Sequence, residues 1–396
     1  MTFDFDTPLA LRETHCSKWD AFSNVFKDLP EQPPADEVIP MWVADMDFAA
    51  APPILEALQA EATRGYLGYF TNDRPIAEVV SRWMEAHHGW QVDPDWVRFT
   101  RGVIEGVALA VGSYSKPGDE VIVFSPVYHA FYRKVEALGR VIKESPLVLE
   151  DGVYHMDLDA LAASLSGREK LVILCSPHNP GGRLWTAAEL KALADFCADH
   201  DLILVSDEIH MDLTFPGQAH LPTGVAAPDS YGRLIMLSAA SKGFNIAGGE
   251  TGFAIIPDAA VRAKIDVTRM AISGTMNRFG MAMTKAALSD GAEWSLAART
   301  YIAQNFAIWR DRIDALPGIA VMDMPSTYLS WVDFSGTGMD ATEVRLRLGR
   351  DARIATNPGQ QFGTGGEMWN RFNIAMPRAL MMDAIARMEA AFADLQ

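Results

Sequence analysis

Lys242 stands in the run Ser238-Ala239-Ala240-Ser241-Lys242-Gly243-Phe244-Asn245, after the apolar stretch Leu234 to Leu237 and before Gly248 and Gly249. Lysine is among the side chains least often buried, so a chain that steers one to the end of a buried strand normally has a use for the amine. Desolvation lowers the amine's pKa, and the neutral amine is a nucleophile able to hold an aldehyde cofactor as a Schiff base. A lysine on a polar surface loop would give the same local pattern. Its companions in the sequence must decide between the two.

The elements that would position it come in alternation. Short apolar runs at 96–100, 120–124, 140–144, 170–175, 202–206, 234–238 and 252–256 predict strands, with helix-period segments between several of them. That order indicates an α/β fold with a mostly parallel seven-stranded sheet covered on both faces. After about residue 285 the alternation stops, and the remainder predicts a smaller α+β domain. The expected division is 1–45 as an N-terminal segment joining the small domain, 46–285 as the large domain and 286–396 as the small one.

Ligands collect at the carboxyl ends of parallel strands. After the first strand comes Thr100-Arg101-Gly102-Val103-Ile104-Glu105-Gly106, a glycine turn opening a helix whose N–H groups suit an anion. After the second comes Tyr128, either a face for a heterocyclic ring or an ordinary packed tyrosine. After the fourth, Asn179 lies in Ser176-Pro177-His178-Asn179-Pro180-Gly181-Gly182, where turn chemistry alone would explain it. After the fifth, Asp207 must be bonded if buried, as a helix cap or as the partner of a cation.

Taken together these are the parts that pyridoxal 5'-phosphate needs. Its ring nitrogen wants a buried carboxylate (Asp207), its ring oxygen a donor (Asn179) and its ring face an aromatic (Tyr128). Its phosphate wants a helix start and a hydroxyl, which the backbone of Val103 and Ile104 and the side chain of Ser241 supply.

The bulk numbers agree with an enzyme on a small molecule. The chain has 396 residues and a formal net charge of -17, which argues against nucleic acid or an anionic membrane as partner. Its three cysteines, Cys16, Cys175 and Cys197, form no disulfide framework and no metal-ligand spacing. Neither a signal peptide nor a long apolar span is visible, so a cytoplasmic location is expected. His87 and His88 read as solvated residues completing a helix C-terminus rather than as a metal pair.

Over nearly the full length the sequence resembles fold-type I pyridoxal-phosphate enzymes of the class I and II aminotransferase family, and within it the MalY/PatB group of cystathionine beta-lyases. The resemblance rests on Lys18-Trp19-Asp20, on the segments 41–48, 175–182, 206–212 and 241–247, on Gly65-Tyr66-Leu67-Gly68-Tyr69 and on Ser326-Thr327-Tyr328-Leu329. It implies that Lys242 is the Schiff-base lysine and general acid/base, and that Asp207 is the partner of the ring nitrogen. Asn179 and His210 would touch the ring oxygen, Tyr128 would stack on the ring, and Arg371 would clamp the substrate α-carboxylate. Tyr69 would reach a phosphate in the other subunit's site, which makes the expected enzyme a homodimer with shared active sites. Trp42, Tyr66, Ser326 and Tyr328 are candidates for the side-chain pocket of an amino-acid substrate, with core, interface or turn roles equally open to them.

Two positions depart from the family pattern. Eight residues after the lysine, where many aminotransferases carry a phosphate-binding arginine, stands Glu250, which is therefore expected to point away; three residues before the lysine, where serine is frequent, stands Ala239. The resemblance implies a carbon–sulfur β-lyase releasing thiol, pyruvate and ammonia. An aminotransferase is the alternative, sharing the same early chemistry, and a regulatory binding protein with residual lyase activity is a third reading.

Overall fold

A computed structural model describes residues 3–27, 29 and 32–395. Seven strands form the main sheet: β1 Val97–Thr100, β2 Glu120–Val123, β3 Val141–Glu144, β4 Glu169–Cys175, β5 Ile203–Asp207, β6 Leu234–Ser238 and β7 Gly252–Ile255. Their order across the sheet is β1-β7-β6-β5-β4-β2-β3, all parallel except β7, which runs antiparallel to both β1 and β6. Each predicted strand is present with ends shifted by no more than a residue or so.

Why these runs form a two-sided sheet follows from their alternation. Leu171, Ile173, Val205 and Ile235 pack with Val103, Val107 and Val111 of the helix Val103–Tyr114 on one face. Val172, Leu174, Leu204, Leu234 and Met236 pack on the other, with Leu190 and Leu193 of the helix Ala187–Asp199. Successive side chains of a strand point to opposite faces, so a run apolar at every position is covered twice. The second of these helices starts with a full capping box, Thr186 and Glu189 satisfying each other's backbone N–H groups.

A second, antiparallel sheet is built from β8 Ala320–Val321, β9 Leu329–Asp333, β10 Asn357–Pro358 and β11 Trp369–Asn373, in the order β8-β9-β11-β10. The helix Ala292–Ile313 packs beside it, with Trp309 fully buried and donating Nε1–H to Ser330 Oγ at 3.0 Å. Near the N-terminus Ile39 and Pro40 pair in parallel with Ile354 and Ala355. The helix Ala341–Leu346 widens into a π turn at Arg347–Asp351.

His88 corrects one expectation. It ends the helix Arg74–His88 as predicted, but its side chain is only 6% exposed and its Nε2 lies 2.8 Å from Asp212 Oδ1. Asp212 is buried and draws the imidazole inward, a pull that outweighs hydration of the ring. His87 remains exposed and stacks on Trp83 at 3.6 Å between ring centroids.

Candidate active site

Register places the strand ends level. Asp207 is paired with Cys175 on one side and Leu237 on the other, so the segments leaving β4, β5 and β6 open together on one edge of the sheet. There a cavity of about 240 Å³ is lined by Val103, Ile104, Tyr128, Asn179, Asp207, His210, Ser241 and Lys242, all candidates from the sequence. Ala44, Arg101, Cys175, Glu250 and Thr251 also line it.

The helix Val103–Tyr114 begins at the cavity wall, and Gly102 turns the chain into it at φ +114°. Only glycine adopts that angle without strain, and it leaves the first N–H groups of the helix, which have no intrahelical partner, facing the cavity.

Asp207 is 3% exposed, and among the described residues its carboxylate accepts one hydrogen bond, from Ile209 N–H at 3.1 Å. Burial pushes its carboxyl up to about 7, with the Ile209 bond and Lys242 pulling the other way and Glu208 adding to the rise. Such a group is short of a cation.

Lys242 Nζ donates to the Ala44 carbonyl at 2.5 Å. Burial pushes its amine down to about 8; Asp45 and Asp207 oppose the fall and Arg371 adds to it. His210 is held down to about 3 by burial first, then by the charges of Lys242 and Arg371, so its imidazole is neutral; its Nδ1 is buried with no hydrogen-bond partner among the described residues. A cationic heterocycle with a polar ring substituent would meet both the carboxylate and the imidazole. On that ground the residues present fit pyridoxal phosphate.

Arg371, 2% exposed, comes from β11 of the second sheet. Its Nη1 donates to Asn179 Oδ1 at 2.9 Å, and its Nη2 to the Trp42 carbonyl at 2.9 Å and to Asn357 Oδ1 at 2.7 Å, while its Nε has no hydrogen-bond partner among the described residues. The guanidinium lies 5.1 Å from the Phe362 ring centroid. Tyr328 donates its hydroxyl to the Ala44 carbonyl at 3.0 Å, and Ser326 Oγ donates to the Gly182 carbonyl at 2.8 Å.

Not every candidate is brought here. Trp42 reaches the site through its carbonyl, its indole N–H being turned to the Lys18 carbonyl at 3.0 Å. Tyr66 and Tyr69 are 60% and 85% exposed on the surface and contribute nothing to the cavity of their own chain.

Glu250 does not turn away: it sits on the cavity wall, in a left-handed conformation at φ +46°. The tight turn that ends the helical turn Ala247–Gly249 aims it there. Arg101, on the same wall, is the cation that the sequence reading passed over; its signal was its place between the end of β1 and Gly102. Asn357 carried no local signal, being brought to Arg371 by the pairing of β10 with β11.

Residues 36–388 match the family described as aminotransferase class I and II. Among curated proteins, cystathionine beta-lyase PatB of Bacillus subtilis is 37% identical over 382 residues, covering 96% of this chain and 97% of its own. Protein MalY of Escherichia coli is 30% identical over 390 residues, covering 97% of each. Among solved structures, cystalysin from Treponema denticola, which contains a pyridoxal 5'-phosphate cofactor, is 32% identical with a TM-score of 0.94 over all of both chains. A pyridoxal-phosphate-bound C-S lyase from Staphylococcus hominis, in complex with L-cycloserine, is 28% identical with a TM-score of 0.92, covering 99% of this chain and 98% of its own. A match of this length, on a fold shared end to end with these structures, means that the chain belongs to the class I and II aminotransferase family.

Proposed function

We propose that this protein is a pyridoxal-phosphate-dependent carbon–sulfur β-lyase, converting L-cystathionine or a related cysteine S-conjugate and water to a thiol, pyruvate and ammonia. The observation that carries the reading is the pairing of a cation-seeking buried carboxylate, Asp207, with a lowered amine, Lys242, across one cavity. Relatives named cystathionine beta-lyase and C-S lyase, alike over nearly the whole chain, support the lyase outcome.

In this reading Asp207 holds the ring nitrogen as a cation, and Asn179 and His210 meet the ring oxygen. Tyr128 would cover the ring face, and the N–H groups of Val103 and Ile104, the Ser241 hydroxyl and Arg101 would receive the phosphate. When bound there, pyridoxal phosphate supplies an electron sink for the pair left on the substrate α-carbon as its proton departs. Arg371 clamps the α-carboxylate with the N–H directions its protein partners leave free, which turns the α C–H bond toward Lys242. Lys242, with an amine near 8, takes that proton and returns one to the departing sulfur.

The same reading makes the enzyme a homodimer. Tyr66, Leu67 and Tyr69 are exposed together, as are Val267, Met270 and Ile272, an outlay of apolar surface that a second copy would cover. Arg278 holds the tyrosine loop outward, donating to the carbonyls of Gly68 at 3.1 Å and Tyr69 at 2.9 Å. Tyr69, and Tyr66 with it, would then serve the site of the other subunit. The free thiols of Cys16, Cys175 and Cys197 suit a reducing compartment such as the cytoplasm, and among the described residues no helix is long and apolar enough to cross a membrane.

The deciding experiment supplies L-cystathionine to the cofactor-loaded protein with no 2-oxo acid present. Equal amounts of thiol and pyruvate are expected. Turnover only after adding 2-oxoglutarate or pyruvate as acceptor would overturn the lyase reading in favour of an aminotransferase.

A further inference from the structure

Lys18 is fully buried, with 0% of its side chain exposed, and the chemistry above makes no use of it. Its ammonium donates to Asp47 Oδ2 at 2.9 Å and to the Asp45 carbonyl at 3.4 Å, and lies 3.9 Å from Asp45 Oδ1. Asp47 Oδ1 accepts from Trp19 Nε1–H at 2.9 Å, and the Lys18 carbonyl accepts from Trp42 Nε1–H at 3.0 Å. The turn Ser17–Asp20 thus grips the segment 42–47 at both ends.

Between the two grips a row of backbone carbonyls faces the site. Trp42 O accepts from Arg371, Val43 O from Asn373 at 2.7 Å, and Ala44 O from both Lys242 and Tyr328. Met46 N–H is tied to Asn245 Oδ1 at 2.9 Å, three residues beyond Lys242.

A buried ion pair is a poor device for stability, since an apolar pair of similar size usually does as well without desolvating two charges. This one also divides a charge. Two carboxylates share one ammonium; the hydrogen bond goes to Asp47, and Asp45 Oδ1 is left buried with no hydrogen-bond partner among the described residues. The Lys242 amine donates to the Ala44 carbonyl, shares its cavity with Asp207 and the neutral His210, and is acted on by the charges of Asp45, Asp207 and Arg371. Asp45 is the anion that acts on it most strongly.

We propose that Lys18 and Asp47 are positioning residues for Lys242: their ion pair sets the register of the 42–47 carbonyls and decides how much of Asp45's negative charge reaches the Lys242 amine. The inference rests on the reading of Lys242 as the reactive amine. It assigns to Lys18-Trp19 and Asp45-Met46-Asp47 a task that no contact with substrate or cofactor requires.

Competitive acylation by acetic anhydride, read by peptide mass spectrometry, titrates Lys242 in the full-length chain free of cofactor. Asp45→Asn removes the anion and should move the Lys242 midpoint down by about 0.5–1 pH unit. Asp47→Asn, an isosteric change, should also move it down, because Lys18 then turns wholly to Asp45. Lys18→Met should move it up, the two carboxylates having lost their cation. General loosening of the segment would hydrate the amine and raise every midpoint toward the ordinary lysine value, so a downward shift separates the proposal from a structural role. A midpoint that stays or rises in either Asp45→Asn or Asp47→Asn overturns it, whether or not Lys18→Met folds. Whether Lys242 carries the cofactor is read separately, from retention of pyridoxal-phosphate absorbance by Lys242→Ala, so the two readings can fail independently.

Discussion

Arg371 Nη1 donates to Asn179 Oδ1 at 2.9 Å across 192 residues of sequence, and the bond joins the second sheet to the end of β4 in the parallel one. Asn357 and the Trp42 carbonyl hold the other nitrogen, so three segments far apart in the chain fix a single guanidinium. Its planar fork, rather than charge alone, is what the proposed carboxylate clamp needs.

Arg371→Lys should therefore keep the fold and lower kcat/KM for L-cystathionine by roughly 10²–10³-fold, mostly through KM. Steady-state kinetics checks this. A lysine variant with wild-type KM would remove Arg371 from the substrate site.

Asp207 should give the cofactor-free chain an unusual dependence on pH. Its folded carboxyl sits near 7, above the unfolded value of 3.8, so its contribution is fully present below pH 4 and is lost as pH rises through 7. The whole loss is on the order of 4 kcal/mol, of which about 3 kcal/mol falls between pH 5 and pH 8. Urea unfolding at pH 5 and pH 8 should show it in the wild type and not in Asp207→Asn. Adding pyridoxal phosphate should stabilise the wild type more than the variant at pH 8, where the carboxylate is ionised and has a cation to meet.

The wall shared by Arg101 and Glu250 should tune affinity for the phosphate. Glu250→Gln removes an anion and is expected to tighten pyridoxal-phosphate binding by about three- to tenfold, whereas Arg101→Ala should weaken it roughly tenfold. Equilibrium dialysis at low and high salt tests both. Effects of the same sign in the two variants would mean that the phosphate lies elsewhere.

Behind the site, His88 holds the buried carboxylate of Asp212, assisted by Trp83 Nε1–H at 3.0 Å. Burial would raise that carboxyl, but the His88 hydrogen bond and charge and the Trp83 bond together bring it below its ordinary value. His88→Phe takes away the Nε2 contact and leaves the buried carboxylate of Asp212 short of a hydrogen-bond partner, which should cost about 1–3 kcal/mol of unfolding free energy, measured at pH 7. The stability this carboxyl contributes in the wild type is present above its unfolded pKa of 3.8 and should fade as pH falls below it. A change under half a kcal/mol would mean that the ring merely fills space.

The strand-end residues were legible because their signals are local. An apolar run followed by Gly102, Tyr128, Asn179, Asp207 or Lys242 is visible in one dimension, and the parallel register then sets those ends level. The inward turn of His88 and the aim of Glu250 were not legible. The first depends on Asp212, 124 residues away, and the second on a left-handed backbone that a glutamate does not announce.

The sequence by itself determined the α/β class, the two-sided burial of the strands and the set of groups gathered at their ends, since alternation and composition are properties of each segment. Only the tertiary structure decided that Lys242 points to the Ala44 carbonyl, that Asn357 and Trp42 fix Arg371, and that a buried Lys18 stands behind the loop between them. Those contacts join elements with no local pattern in common. Their strength comes from desolvation and from geometry, and neither exists until the chain has folded.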